Sequence, residues 1–500
     1  MKRTISIAFA AFALLSFTSC QKENLVSGNQ EPSQRIVTAV FENDDTKTTL
    51  GTNDIPLWAE GDKICILASN DSVVIELQES NITENGRKVT FTLTKGLSGT
   101  LYAVYPASAT TMTSCTDGNI TFTIPELQDG TFGSANICVA KGDDKENLVF
   151  RNATAVLEIT TADDVVGVDI TAANNIAGSV TASFNGDEIS LTPVLTGKSV
   201  SVVCKSAPSD NVFYLAAAPV STGSTTATCY TIDKRGSAVK ESKELKRNVI
   251  YSMNLSSMTI NTDCDLTGTK GTLNGHECVI IKAKYDGTND SYLKWATRNI
   301  GATADTGTDS YGTYFAWGET TGHSLKSNIA ISYPSVSNAF DDGHVFTKTP
   351  TLNPEDPAVL PLSYDAAFRN WGTGWRMPTG YISSTVPGEF MALKDATYWK
   401  WDDTDKGYYV YAPQEGDKGK KNGETSNTYY KSAALLFFPA AGNGNGNALD
   451  SADSNGTYWS SSLRYDYTPH AYNLYFDKGT VNPQGFRSRW NGLPVRPVSD

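Results

Sequence analysis

The spacing of turn signals constrains this chain more than any other feature. Asn85-Gly86, Asp117-Gly118 and Asp129-Gly130 are pairs that accept positive φ at little steric cost, and they separate short apolar runs. The runs fall at 36–41, 63–68, 72–77, 88–93 and 99–104, then at 148–150, 155–160, 165–170, 200–204, 212–217 and 249–255. Turns recur about every ten residues, as in an all-β sandwich. A βαβ chain would need helical segments between the runs. The predicted fold class is therefore mainly β.

Tryptophan usage marks a boundary. Trp58 stands alone before residue 258, whereas Trp295, Trp317, Trp371, Trp375, Trp399, Trp401, Trp459 and Trp490 follow it, as do His276, His323, His344 and His470. So sharp a shift predicts a last domain built on a different structural logic, beginning between Ser257 and Asp265. At about 150 residues per domain, a chain of 500 residues holds three. The formal charge of −13 argues against nucleic acid as a partner and against electrostatic docking on an anionic bilayer.

The first residues read as an address. Lys2 and Arg3 precede an apolar run at 5–17, too short to span a bilayer but suited to a signal peptide. Phe17-Thr18-Ser19-Cys20 resembles a bacterial lipobox, with Phe17 where leucine is preferred. The resemblance implies that Cys20 is acylated and holds the protein at outer-membrane lipid, at about 0.8 kcal/mol per buried CH₂. Gln21-Lys22-Glu23 resembles the short signal that sends Bacteroidetes lipoproteins to the cell exterior. Residues 1–20 are thus expected to be a lipoprotein signal peptide and 21–35 a flexible polar tether. Beyond Cys20, seven cysteines are an odd number, so at least one thiol is free. Cys65 and Cys138 sit in apolar runs and are expected in the core. Cys264 and Cys278 flank a hairpin at 271–275 and are read as either bridged or free.

Two resemblances to known families follow. Leu57-Trp58-Ala59-Glu60-Gly61-Asp62-Lys63-Ile64, after the threonine-rich 46–49, resembles the Trp-x-x-Gly-Asp-x-Ile signature of Bacteroidetes fimbrillin-like pilus subunits. Tyr102-Ala103-Val104-Tyr105-Pro106 resembles a second signature of that family, and 148–150 with 153–157 resembles the opening of its second domain. The resemblance covers about 36–257 and implies two transthyretin-like β-sandwiches, at 36–147 and 148–257. The block 258–500 is similar to the Fibrobacter succinogenes major paralogous domain. The matching residues include Leu293-Lys294-Trp295-Ala296-Thr297, Tyr314-Phe315-Ala316-Trp317-Gly318-Glu319, Trp375-Arg376-Met377-Pro378, Tyr458-Trp459-Ser460-Ser461 and Pro494-Val495-Arg496-Pro497. That resemblance implies a loop-rich α+β domain of the C-type-lectin-like fold shared with formylglycine-generating enzymes.

Chemistry is sparse. The formylglycine-generating reaction needs reactive thiols, and no cysteine follows Cys278. His470 near Asp466 and the serines 460–462 is the single hydrolase-like cluster, and such serines more often bond a turn. The calcium-binding Glu-Pro-Asn and Trp-Asn-Asp signatures of lectins do not occur, although Asn353-Pro354-Glu355-Asp356 and Asp341-Asp342 offer oxygen ligands. No enzyme activity, cofactor or metal is expected. Arg376 and Arg496 are expected to snorkel or to pair with carboxylates such as Glu319 at loop bases. Trp399 and Trp401 share one face of a strand, opposite Tyr398 and Lys400, and form either core or a paired aromatic platform. The loops 442–447 and 465–467, with Tyr465 and Tyr467, suit an adaptable recognition surface.

The expectation is a minor or tip subunit of a fimbria, an adhesin whose last block is a distal recognition head for a host or bacterial surface glycan or protein. The fimbrillin resemblance implies partners among other pilin subunits, joined by β-strand complementation after proteolysis follows an arginine. Arg35-Ile36, between tether and first strand, is the candidate site, and Arg35 as a plain linker residue is the alternative. The alternative function is a non-polymerising surface lipoprotein that binds glycans or proteins for nutrient uptake.

Overall fold

The computed structural model describes residues 35–42, 56–323 and 359–500, save 382, 384, 422, 423, 446, 447, 465 and 468. The described residues are mainly β, with three short α-helices, Phe132–Ala135 and, in the last block, Ala366–Trp371 and Glu389–Ala396.

The strand Arg35–Phe41 lies inside an eight-stranded sheet, parallel to Asn147–Asn152 on one side and antiparallel to Lys88–Leu93 on the other. Alternation sets its faces: Val37, Ala39 and Phe41 enter the core and Ile36 is 63% exposed. Trp58 stacks on Phe41 with ring centroids 4.2 Å apart, and Tyr105 meets it edge-on. The two fimbrillin-like signatures therefore touch. Gly61, at φ +87°, turns the chain so that Asp62 accepts from the Ala59 N–H at 2.8 Å and from the Tyr105 hydroxyl at 3.0 Å.

Strand pairing runs across the expected limits at 147/148 and 257/258. Asn147–Asn152 straddles the first limit within the eight-stranded sheet. Asn119–Ile124 pairs instead with Ala177–Asn185, and Leu127–Gln128 runs parallel to Ser199–Val203. Thr262–Asp263 pairs with Lys234–Lys240. One apolar core accordingly contains Val104 and Phe122 together with Ile159, Val168 and Phe213. Pairing partners at such sequence separation leave no local trace.

The last block consists of small sheets linked by long ordered loops. The largest joins Lys270–Leu273, His276–Ala283, Ser291–Ala296 and Val498–Ser499, and two three-stranded sheets are built on Tyr398–Asp402 and Asn455–Leu463. Tryptophan supplies its core: Trp295, Trp317, Trp375, Trp399, Trp401 and Trp459 are all buried. Each indole N–H finds an acceptor, such as the Tyr285 hydroxyl at 2.9 Å for Trp295 and the Phe315 carbonyl at 2.7 Å for Trp459, so its burial carries no unpaired donor.

This block is docked on the earlier ones. Leu273, Cys278 and Trp375 pack with Leu127, and Ile280 and Tyr292 pack with Val166 and Val203. The Tyr292 hydroxyl donates to the Ile232 carbonyl at 2.9 Å, and Arg369 pairs with Glu76. The last block, read above as distal, is thus seated on the β modules, because its first sheet carries an apolar outer face. Tyr430, Tyr467 and Phe486 of this block stay exposed.

Candidate functional site

Arg35 is the first residue of the strand Arg35–Phe41 rather than the last of a tether. Its backbone pairs with Leu93. Its guanidinium meets Glu146 at 2.6 Å and the carbonyls of Leu97 and Gly99 at 3.1 Å each. The side chain is thus anchored, and Ile36 beyond it points to solvent. Val37, Ala39 and Phe41 fill a slot whose walls are two neighbouring strands and whose floor includes Trp58. Without that strand, two rows of backbone groups and an apolar floor would face water.

Of the four aromatic candidates, Trp399 and Trp401 sit on one face of Tyr398–Asp402, as period-two alternation requires. That face is internal: they are 1% and 7% exposed, and Trp399 stacks on Phe438 at 5.3 Å. They are core, and the platform alternative is set aside because both rings meet Tyr408 in one apolar cluster. Tyr465 lies outside the described residues, as do Cys20, Asp341-Asp342 and 353–356. Tyr467 is 52% exposed and has company that the sequence did not announce.

His470–Asp477 and Thr480–Ser488 pair so that His470 faces Ser488 and Tyr472 faces Phe486. Residues two apart on a strand share a face, so His470 and Phe486 lie together beside Tyr467. Ring centroids are 4.7 Å apart for Tyr467 and His470, and 5.7 Å for His470 and Phe486. Phe486 is 45% exposed, and the Arg464 guanidinium lies 3.8 Å from its ring centroid. Asp466 holds Arg464 by two bonds of 2.6 and 2.8 Å. Arg487 lies over the Tyr475 ring at 5.7 Å and makes no ion pair among the described residues. Burial, and then the positive charges of Arg464 and Arg487, depress the proton affinity of His470. The signal that marks Phe486 in the sequence is a large apolar residue at an outward position of a strand; its neighbours become visible only through cross-strand register.

No hydrogen bond joins His470, Asp466 and Ser461 among the described residues. The His470 Nε2 lies 3.3 Å from Ser488 Oγ, while Ser460 donates to the Tyr472 carbonyl and Ser461 to that of Pro378. These buried serines fasten strands. Cys264 and Cys278 are not bridged; all seven described cysteines are free thiols. Glu319 does not meet Arg376 or Arg496: it accepts from the Ala316 N–H and pairs with His323 at 3.0 Å. Arg376 instead grips Glu389 and Asp500. Arg496 is wholly buried among the Asn299 side chain and the carbonyls of Ala296 and Phe437, and burial pulls it down to about 10. Among the described residues no group of three or more His, Cys, Asp or Glu is placed to hold a metal, and no helix is long and apolar enough to cross a membrane.

No family model and no curated protein matches the chain. Solved structures are similar over part of it. A protein from Bacteroides ovatus, named for a suspected role in cell adhesion, has 15% identity over 47% of this chain and 97% of that one, with a TM-score of 0.28. A fimbrial assembly protein from Parabacteroides distasonis has 10% identity over 49% and 95%, with a TM-score of 0.26. The tip fimbrial protein Mfa3 from Porphyromonas gingivalis, truncated at its C-terminus, has 11% identity over 46% and 99%, with a TM-score of 0.25. Likeness this slight carries no weight for fold or function, which stand on the chain's own geometry.

Proposed function

We propose that this chain is a lipid-anchored surface protein of fimbrial type, a minor or tip subunit whose last block is an adhesive head. The observation that carries the reading is the seating of Arg35–Phe41 between Asn147–Asn152 and Lys88–Leu93. It is a strand near the start of the chain, inserted between two others, with apolar side chains in a ready slot. Cleavage after Arg35 removes the anchor, the tether and the Arg35–Glu146 pair, and leaves 36–41 with a free end. Another subunit's strand then offers the same ladder and pockets by β-augmentation. Cys20 supplies the outer-membrane lipid anchor before that step. The C-type-lectin-like description of the last block and its division from two sandwiches belong to the same proposal.

The test is Arg-specific proteolysis of the purified full-length precursor in the presence of partner pilins. A new N-terminus at Ile36 and incorporation into polymers are expected. A precursor left intact at residue 35, or cut there and still monomeric, overturns strand exchange. A second reading, a non-polymerising surface lipoprotein that captures glycans or proteins, draws on the anchoring of Arg35 by Glu146, Leu97 and Gly99, which withholds the side chain from a protease. Recovery solely as a monomer from outer membranes favours it.

A further inference from the structure

The eight-stranded sheet ends on an open edge. Ser72–Glu76 is its last strand and pairs on one side only, with Lys63–Leu67. Bonded pairs alternate along an antiparallel ladder. The Ala68 N–H donates to the Asp71 carbonyl at 2.9 Å and the Leu77 N–H to that of Asp62 at 2.8 Å, so Val73 and Ile75 bond inward. Ser72, Val74 and Glu76 therefore direct their N–H and C=O groups outward. Those of Ser72 are taken by the Asp71 carboxylate and the Lys95 ammonium, each at 2.7 Å. Among the described residues nothing bonds to those of Val74 and Glu76. Val74 is 54% exposed, and the strand carries no lysine, proline or bulge to discourage pairing.

The edge opens into a cleft. A cavity of about 1000 Å³ is lined by Val74, Glu76 and Tyr105 on one side and by His276, Trp371 and Trp375 of the last block on the other, a place and size usual for ligand sites. Register fixes which face of the strand looks into it. Glu76 lies opposite Lys63 and Val74 opposite Cys65, and residues two apart share a face. That face is turned to the helix Ala366–Trp371: Glu76 pairs with Arg369, and the Lys63 ammonium bonds the carbonyls of Phe368 at 3.2 Å and Arg369 at 3.3 Å. The far wall is aromatic. His276 stacks on Trp371 with ring centroids 3.7 Å apart, and Trp375 meets Trp371 edge-on at 5.1 Å. Burial pulls His276 down to about 4, so this wall is uncharged at neutral pH. The carboxylate on the strand's face, Glu76, is already matched by Lys63 and Arg369.

We propose that this edge and cleft form a docking site for an extended, uncharged peptide segment of a partner protein. Its backbone extends the sheet through the N–H and C=O groups of Val74 and Glu76. The side chain it sets beside Val74 is apolar or aromatic and lies against the Trp371 wall. An open row of alternating donors and acceptors matches an extended main chain, whereas the hydroxyls of a sugar carry no such period. A second copy of this chain would bring a whole sheet to the edge, and the helix Ala366–Trp371, fastened to Lys63, stands in its way. A single strand fits. The site is distinct from the slot of Arg35–Phe41, with four strands of the sheet between them, so it neither needs nor excludes strand exchange.

The test titrates the full-length mature protein by calorimetry with acetyl-Thr-Val-Tyr-Val-Thr-amide and two backbone N-methylated forms of it. One form is methylated at the first, third and fifth residues, the other at the second and fourth. A guest strand bonds the edge through alternate residues. Saturable binding of the parent peptide is expected, with one methylated form at least about tenfold weaker and the other nearly unchanged. Val74→Pro removes an outward donor without touching the inward ladder, a substitution that edge strands tolerate, and is expected to weaken the parent peptide at least about tenfold. An unchanged near-ultraviolet circular dichroism spectrum verifies the fold of that variant. Serine in place of the peptide's tyrosine is expected to weaken binding several-fold on the wild type. No binding of the parent peptide, equal behaviour of the two methylated forms, or indifference to Val74→Pro or to the loss of tyrosine overturns the proposal. So does a wild-type dimer that Val74→Pro converts to monomer in sedimentation, since the occupant would then be a second copy.

Discussion

Glu389 is 1% exposed and is the anion on which two blocks converge. Arg376 grips it through both terminal nitrogens at 2.7 Å, and Lys205 reaches it from the preceding block at 2.8 Å. Burial opposes its ionisation, but the two cations outweigh that and draw its pKa from 4.5 to about 2. A carboxyl group depressed in the folded state stabilises above its unfolded pKa, and that contribution is lost as pH falls through the folded value. The wild type is therefore expected to lose stability between about pH 4.5 and 2. Glu389→Gln leaves Arg376 and Lys205 to the half-exposed Asp500 and is expected to cost about 3 kcal/mol at neutral pH, the low end for breaking a buried pair, and to flatten that acid limb. Urea unfolding of both proteins at several pH values reads both effects. Arg496 makes the opposite case: a buried cation with no carboxylate partner among the described residues, held by three acceptors and by the face of Phe438, 4.5 Å away.

At the scale of elements, the first strand is the most consequential. Phe41 is nearly buried and stacked on Trp58. Phe41→Ala is expected to cost about 3–5 kcal/mol, measured by chemical denaturation. Ile36→Ala, on the solvent side of the same strand, should stay within about 0.5 kcal/mol. Equal costs at the two positions would mean that the strand does not present alternate faces as described. Most such strands were legible in the sequence. Runs at 63–68, 88–93, 155–160 and 212–217 appear as Lys63–Leu67, Lys88–Leu93, Ala155–Thr160 and Val212–Ala217, because β-branched residues between turn dipeptides carry a local signal. Asn119–Ile124 carries a plain Ile-Thr-Phe-Thr-Ile alternation, but its pairing with Ala177–Asn185 has no local signature. The aromatic cluster at Tyr467 is half legible: Tyr467 stands out by composition, whereas Phe486 reaches it only through register with His470–Asp477.

For the whole molecule, the decisive fact is that the last block is seated rather than suspended. Turn spacing and tryptophan counts indicate that it is different, but contacts such as Leu127 with Leu273 and Val203 with Tyr292 depend on the tertiary meeting of faces that look like ordinary core in the sequence. Leu127→Asp places a charge in that interface. It is expected to split a coupled calorimetric unfolding into two transitions and to lower the first by about 2–4 °C per kcal/mol lost. A single unshifted transition would show that the blocks melt independently of this contact. Seating still leaves Tyr467 exposed, as the proposed adhesive role at a fimbrial end requires. Electron microscopy of whole cells with gold-labelled antibody against residues 258–500 tests that claim most directly. Gold at the ends of fimbriae is the predicted result, and gold spread evenly along shafts, or confined to the envelope of cells that bear fimbriae, would contradict it.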